Sequence, residues 1–310
     1  MASVLKPAVG ERKTMSIRPL HIVSVLLICS PLLFLWHYTS SNPQVTTIKF
    51  WNGNKTSSRQ AYERDVLTAV LEVTRKGYGE IPVIEDLTDY PDPADEASIF
   101  RKKGFDVFGT VAGNPKLANE KKILIPHPMM KGLLGYRVLI IRAADRETFA
   151  GITTAAQLQQ QRLGIPLGWA DAALFRHNDY PVVEDGTFDD LFTRLRSNQF
   201  DYVSFGANEV ESVYQERAAT PADLHTDENV LLYYPFPLVF YVNPNNTELA
   251  RRIDQGMQII IHNGQLDDIF QRHYGNLVER LQLKNRALIT LTNPLLPNAL
   301  RNYESDLLND

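Results

Sequence analysis

A chain of 310 residues with 44% hydrophobic and 22% charged residues has the composition of a globular protein and the length for one large or two medium domains, which excludes an intrinsically disordered chain. Net charge is −4, but Lys6, Arg12, Lys13 and Arg18 against Glu11 give residues 1–41 a charge of +3, so the remainder carries −7; a body of that sign lacks the electrostatic footprint of nucleic-acid binding. The single cysteine, Cys29, leaves the rest of the chain without disulfides or thiolate metal ligands.

Basic residues up to Arg18 precede the apolar stretch 20–36, uncharged apart from a proton on His21, which reads as an export signal or as a membrane anchor. Thr39 and Ser41 are a fair match to the small residues a cleavage site wants. Retention meets two obstacles: a spanning helix takes about 20 residues, and Pro31 would kink this one. Trp36, His37 and Tyr38 would suit an interface. Both readings stay open, and both put the folded part outside the cytoplasm, since the positive charge lies before the apolar stretch. Ile28, ahead of Cys29, is not the small residue of a lipoprotein signal, so Cys29 reads as a small apolar residue. Met15 offers an alternative start.

Beyond Pro43, strands and helices alternate. V-T-T-I-K-F-W, 45–51, reads as a strand, and the helix expected over 58–75 buries Tyr62, Val66, Ala69, Val70 and Val73 before Gly77 ends it. E-I-P-V-I-E, 80–85, is a second strand. A short helix from Asp95 then ends in Arg101, Lys102 and Lys103, where the helix dipole favours cations. F-D-V-F-G, 105–109, suits a buried strand closed by a glycine turn. Y-R-V-L-I-I-R, 136–142, is a long buried strand. L-G-I-P-L-G-W at 163–169, a helix over 171–177 and the strand P-V-V-E follow. Thr187 is placed to cap a helix with Phe188, Leu191, Phe192 and Leu195 on one stripe, ended by Asn198. F-D-Y-V-S-F-G, 200–206, repeats the earlier phrase, and a helix is expected from Asn208. P-L-V-F-Y-V-N, 237–243, is a second long strand. Thr247 opens a helix carrying Leu249, Ile253, Met257 and Ile260.

The repeated F-D phrase points to two similar α/β lobes, and the alternation implies mostly parallel sheets with helical crossovers. Carboxyl ends of strands in open α/β sheets hold ligands. If the chain crosses between lobes in 136–142 and returns in 237–243, the two strands form a hinge that permits closure around a ligand.

N-G-Q-L-D-D-I-F-Q-R-H-Y-G, 263–275, makes an amphipathic helix of Leu266, Ile269, Phe270 and Tyr274 with Gly275 as its cap. This string resembles the closing motif of the extracellular solute-binding proteins of the amino-acid type, family 3. With the lobe order, the F-D strands and the export segment, the resemblance covers residues 45–275. It implies an α/β, two-lobed periplasmic-binding-protein-like (type II) fold with a two-strand hinge, preceded by an N-terminal apolar segment. The expected divisions are 1–41 for the signal or anchor, 45–137 plus 237–275 for lobe 1, 138–236 for lobe 2, and 276–310 for a C-terminal extension that wraps the body. The implied role is a periplasmic solute-binding protein, exported or tethered to the inner membrane, that captures a small polar molecule for an ABC-type uptake system. Its partners would be that ligand and an inner-membrane permease; the alternative is a tethered sensory or interaction module with a signalling protein as partner.

The chain departs from the family where the ligand would be held. The resemblance implies an Arg after the first F-D strand for a ligand carboxylate and an Asp after the second for its ammonium. Here the first region offers Lys116, Lys121 and Lys122, and the second Asn208 and Glu209; a lysine does not reproduce a bidentate arginine clamp. Seven candidate contacts follow from position. Trp51 ends the first strand, Tyr90 lies on the loop after the second, and Trp169 follows the Gly168 turn; such rings grip flat or cationic ligands or pack in their own lobe. Asp171 serves as a helix cap or a ligand contact. Asn208 and Glu209 stand after the second F-D strand, Glu209 either compensating a helix dipole or receiving an amine. Arg137, beside the crossover, binds an anion or pairs with a carboxylate. G-x-S-x-G, H-E-x-x-H and G-x-x-x-x-G-K-[ST] are absent from the sequence, and its histidines lack ligand spacing. Catalysis, cofactor and metal are therefore not expected.

Overall fold

The structure, a computed structural model, describes residues 47–305, 307 and 308. The apolar stretch at 20–36, with its signal and anchor readings, lies outside the described residues. Among those described, no helix is long and apolar enough to cross a membrane.

The first five strands are β1 (Ile48–Trp51), β2 (Val83–Asp86), β3 (Val107–Val111), β4 (Ile123–Leu124) and β5 (Tyr136–Arg142). Six more follow: β6 (Leu163–Ile165), β7 (Val182–Glu184), β8 (Tyr202–Gly206), β9 (Leu224–Tyr233), β10 (Leu238–Val242) and β11 (Ala287–Thr290). They form two sheets, β2-β1-β3-β10-β4 in lobe 1 and β11-β9-β5-β8-β6-β7 in lobe 2.

Where helices connect strands the pairing is parallel, β1 with β2 and β3, and β6 with β7 and β8. The sheets as wholes are mixed rather than mostly parallel. β10 runs against β3 and β4, and β5 against β8 and β9. The reason is a ribbon common to both lobes: the chain leaves β4 for β5 and returns alongside itself from β9 to β10. Between the sheets the ribbon stays bonded, Met129 N donating to Leu238 O at 2.9 Å and Tyr234 N to Gly135 O at 3.2 Å. β5 thus lies in lobe 2 and β10 in lobe 1, and the crossings are the shorter stretches between the strands.

The F-D repeat has the same physical job twice. Asp106 Oδ2 accepts the backbone N–H of Lys49 at 2.8 Å, and Asp201 Oδ2 that of Arg162 at 2.8 Å. Each carboxylate serves a donor at the start of the neighbouring parallel strand, β1 beside β3 and β6 beside β8, which would otherwise lack a partner.

Helix α1 (Ser57–Val73) starts at Thr56, whose hydroxyl accepts from Arg59 N, and its buried face carries Tyr62, Val66, Leu67, Val70 and Leu71. Ala69 and Val73 are only partly buried. Against α1 pack the helix Thr247–His262 and the closing helix Gln265–Tyr274. Gly256 is the close approach: a Cβ there would stand 2.7 Å from Val70 O.

The C-terminal segment does more than wrap the body. β11 extends the lobe 2 sheet in parallel with β9. The Leu295 carbonyl then lies against Gly113 of lobe 1, where a Cβ would come within 1.8 Å, at a φ of +80° that already favours glycine. Leu300, 7% exposed, joins the lobe 1 cluster of Trp51, Ile99, Phe108 and Tyr241. Ser305 donates from Oγ to Lys131 O at 2.7 Å and from N to the Tyr233 hydroxyl at 2.8 Å, and Asn293 Nδ2 donates to Pro235 O at 2.8 Å. The segment therefore touches lobe 2, lobe 1 and both sides of the ribbon.

Leu300→Ala is expected to cost about 2–4 kcal/mol, because it opens a cavity in a packed cluster. Leu288→Ala, at a site 52% exposed on β11, should change stability by less than about 0.5 kcal/mol. Urea denaturation of the two variants decides between an integral tail and a loosely laid one.

Candidate functional site

The rim where the two lobes meet is built from strand ends and the first turns that follow them. On the lobe 1 side, alternation decides which residue faces it. Trp51 does not. It is 1% exposed, packs on Tyr90 and Phe108 at 5.8 and 5.4 Å, and donates from Nε1 to Thr88 O at 2.9 Å. The next residue, Asn52, turns the other way and is fully buried, its Nδ2 donating to Glu85 Oε1 at 2.7 Å and Gln60 O at 2.9 Å. Tyr90 is half-buried, and Lys103 Nζ stands 4.3 Å from its ring centroid, so that face is already taken by a cation.

Asn52 leads to a charged cluster that the sequence reading missed. Its Oδ1 accepts from Lys55 Nζ at 2.9 Å; Lys55 in turn pairs with Glu63 Oε2 at 2.6 Å, and Arg59 Nε with Glu63 Oε1 at 2.7 Å. Glu63 is completely buried. Its carboxylate lies over Gly109 of β3, where a Cβ would come within 2.1 Å of Oε2. Burial pushes the Glu63 pKa up, but Lys55 and Arg59 outweigh that and hold it below the ordinary carboxylate range. Lys55 responds in the opposite sense: burial, with help from Arg59, outweighs the pull of Glu63 and lowers its pKa to about 8. A second lobe 1 cluster engages Lys116, which pairs with Glu96 at 2.7 Å, while Asn114 Nδ2 donates to the other Glu96 oxygen at 3.0 Å.

From lobe 2, Arg137 enters with 2% exposure. It pairs with Asp171 at 2.9 Å and donates to Ser204 O at 3.1 Å and Leu134 O at 3.3 Å. The Tyr234 hydroxyl donates to Asp171 Oδ1 at 2.5 Å, and the guanidinium lies 5.8 and 5.9 Å from the Tyr234 and Phe236 rings. Asp171 is thus inside the first turn of the helix Ala170–His177 as the partner of Arg137, and the residue at the cap, Trp169, makes no side-chain capping bond. Trp169 is half-buried, stacked on Phe188 at 5.9 Å and edge-on to Phe205 at 6.2 Å. Its turn still faces lobe 1: a Cβ on Gly168 would lie 2.8 Å from Pro93.

Asn208 and Glu209 follow β8. The helix expected from Asn208 begins two residues later, at Val210, and passes after Val213 into a π-helical segment, Tyr214–Ala218. Asn208 is 4% exposed, and neither its Nδ2 nor its Oδ1 has a hydrogen-bond partner. Arg137 Nε and the Tyr274 hydroxyl, both buried, are unpartnered as well. Burial raises the Tyr274 pKa, with the Glu209 charge adding to the rise and the Asn208 amide opposing it. Asn208 is therefore a close neighbour of Tyr274 that falls short of a well-formed hydrogen bond. The Glu209 charge acts on groups of both lobes, Arg59 and Tyr274 of lobe 1 and Arg137 of lobe 2.

Of the seven candidates, Arg137, Asp171, Asn208 and Glu209 come together, Trp169 flanks them, and Trp51 and Tyr90 belong to lobe 1 packing. Among the described residues no group of His, Cys, Asp and Glu is arranged to hold a metal ion. A groove of about 800 Å³ lies elsewhere, between Lys121, Lys122 and Tyr241 and the tail residues Leu295 and Pro297. Its Lys122 is spent on the carbonyls of Leu117 and Glu120, whereas the interlobe rim presents buried polar atoms without partners; the rim is the better candidate.

By sequence, neither a protein-family model nor a curated protein matches the chain. Solved structures do match by shape. An ancestral arginine-binding protein bound to arginine superposes with a TM-score of 0.52 and 14% identity, over 74% of this chain and 99% of that one. A histidine kinase sensor domain with similarity to periplasmic binding proteins gives 0.54 and 15%, over 75% and 97%. An arginine transport-system periplasmic binding protein from Legionella pneumophila gives 0.53 and 10%, over 73% and 99%. The fold is the two-lobed, periplasmic-binding-protein-like α/β fold.

Lys55 makes the cluster sensitive to alkali. A lysine with a folded-state pKa of about 8 sheds its proton before the unfolded chain does, so between that pH and its ordinary value of 10.5 the unfolded state binds more protons, and stability rises with pH. Relative to Lys55→Met, wild type is expected to gain stability from about pH 8 upward and show a flat difference below it. Urea midpoints across that range check the sign.

Proposed function

We propose that the chain is an extracytoplasmic binding module that holds a small, polar, amine-bearing ligand at the interlobe rim and catalyses no reaction. The supporting observation is the group of buried, unpartnered polar atoms there, on Asn208, Arg137 and Tyr274, since buried polar groups in folded proteins almost always have partners. Glu209 is the anion for the ligand amine, Asn208 and the Tyr274 hydroxyl receive or donate to its polar groups, and the Arg137–Asp171 pair orients the lobe 2 side. Likeness in fold to arginine-binding proteins and location of the apolar segment at 20–36 agree with a periplasmic solute-binding role serving an inner-membrane permease.

The sensory alternative is favoured by one feature of its own: the tail bonded to both sides of the ribbon ties the lobes together, and a sensor domain is among the structures of like fold. A signalling protein would then replace the permease as partner. Crosslinking of the full chain in its native membrane separates the two by which partner it captures.

Glu209→Gln is expected to weaken a cationic ligand by about 1–3 kcal/mol through loss of one charge-assisted bond, with folding nearly unchanged. Calorimetry on both proteins measures it, and equal affinities would remove Glu209 from the site. The absence of an Arg between Gly109 and Lys122, with Lys116 held by Glu96, leads to a second expectation. None of the twenty standard amino acids should bind below about 1 μM, the affinity worth about 8 kcal/mol; one tight amino-acid complex in the same titrations would refute it.

A further inference from the structure

We propose that Glu63 is a built-in occupant of an anion subsite, so that the rim selects cations that carry no carboxylate of their own. This rests on the ligand reading above and narrows its chemistry. Lys55 and Arg59 converge on one point from the loop after β1 and the first turn of α1. What they hold is a side chain of the protein itself, each carboxylate oxygen taken by one cation at 2.6 and 2.7 Å.

Three features mark the arrangement as a seat for a carboxylate and not a chance ion pair. Glu63 lies on the core-facing stripe of α1, between Tyr62 and Val66, where an apolar residue would serve the fold without the desolvation cost of a buried ion triad. β3 makes room for it with Gly109, since any Cβ would collide with the carboxylate. The seat also adjoins the rim: Tyr274, whose hydroxyl is one of the unpartnered atoms there, packs on Tyr62, the chain neighbour of Glu63, with ring centroids 5.1 Å apart.

The chemical consequence is a division of labour. A free α-amino acid brings a carboxylate and an amine; here the cations that would meet the first are already neutralised by Glu63, while Glu209 remains for the second. A ligand carboxylate would have to displace a tethered one, which pays no association cost. Decarboxylated amines therefore fit and the parent amino acids do not.

The test uses the full-length protein and two probes that differ only by a carboxylate, L-arginine and its decarboxylated form agmatine. Wild type is expected to bind agmatine more tightly than arginine by about tenfold or more. A preference for arginine would overturn the proposal. A second arm needs no rim ligand: sodium acetate is added to wild type, Glu63→Ala and the near-isosteric Glu63→Gln, and thermal unfolding is followed. Acetate is expected to raise the melting temperature of Glu63→Ala more than that of wild type, because the emptied seat takes it up, and to leave Glu63→Gln, whose amide still fills the seat, close to wild type. Equal shifts in all three proteins mean that Lys55 and Arg59 form no anion site, and the inference fails. If acetate stabilises a variant while neither arginine nor agmatine binds wild type, the seat stands and the amine-ligand reading falls.

Discussion

Everything in this fold hangs on one antiparallel ribbon. The stretch that contains β4 and β5 and the stretch that contains β9 and β10 pair with each other through both sheets, so the lobes are two ends of the same hydrogen-bonded ladder and not separate bodies on a linker. At the point where the ribbon enters lobe 2 sits Arg137, a charge with almost no access to water. Leaving such a charge without partners costs several kcal/mol, so Asp171, Tyr234 and the Ser204 and Leu134 carbonyls must stay with it. A backbone crossover and a rim helix are thereby fixed to each other by one guanidinium.

The two F-D phrases show how an internal repeat can be architectural without being chemical. Asp106 and Asp201 each collect a backbone N–H from the neighbouring strand, and each gathers further side chains, Asn246 for the first and Arg142 with Arg162 for the second. The copies differ past the strand ends, with Gly113 and Asn114 beyond β3 and Asn208 and Glu209 at the matching positions beyond β8. There the lobes stop resembling each other, and lobe 1 supplies cations where lobe 2 supplies a carboxylate and an amide.

Legibility in the sequence followed periodicity. The alternation, the long strands at 136–142 and 237–243 and the closing helix were readable because their apolar residues repeat at the period of their element. β9 was not, since Asp227, Glu228 and Asn229 interrupt it where the register against β5 shifts; nor was β11, four residues long. Thr187 was misleading as a cap because Asp190 accepts its N–H and the helix waits until Leu191. One residue of strand parity separates Trp51 from Asn52, turning Trp51 into the buried lobe 1 cluster and Asn52 to the opposite side. Glu63 left a signal that went unused: an acid on the apolar stripe of α1, four residues after an Arg.

The position of β11 in the chain sets the order in which the protein can be made. The lobe 1 sheet lacks β10 until residue 242 exists, and the lobe 2 sheet lacks its edge strand until residue 290. Contacts of such wide sequence separation form late and slowly. Until then Val230–Tyr233 of β9, the partners of β11, form an open strand edge able to pair with another copy. A chain cut short before Ala287 keeps that edge for good. Protection of that edge therefore waits on β11, far in sequence from the rim.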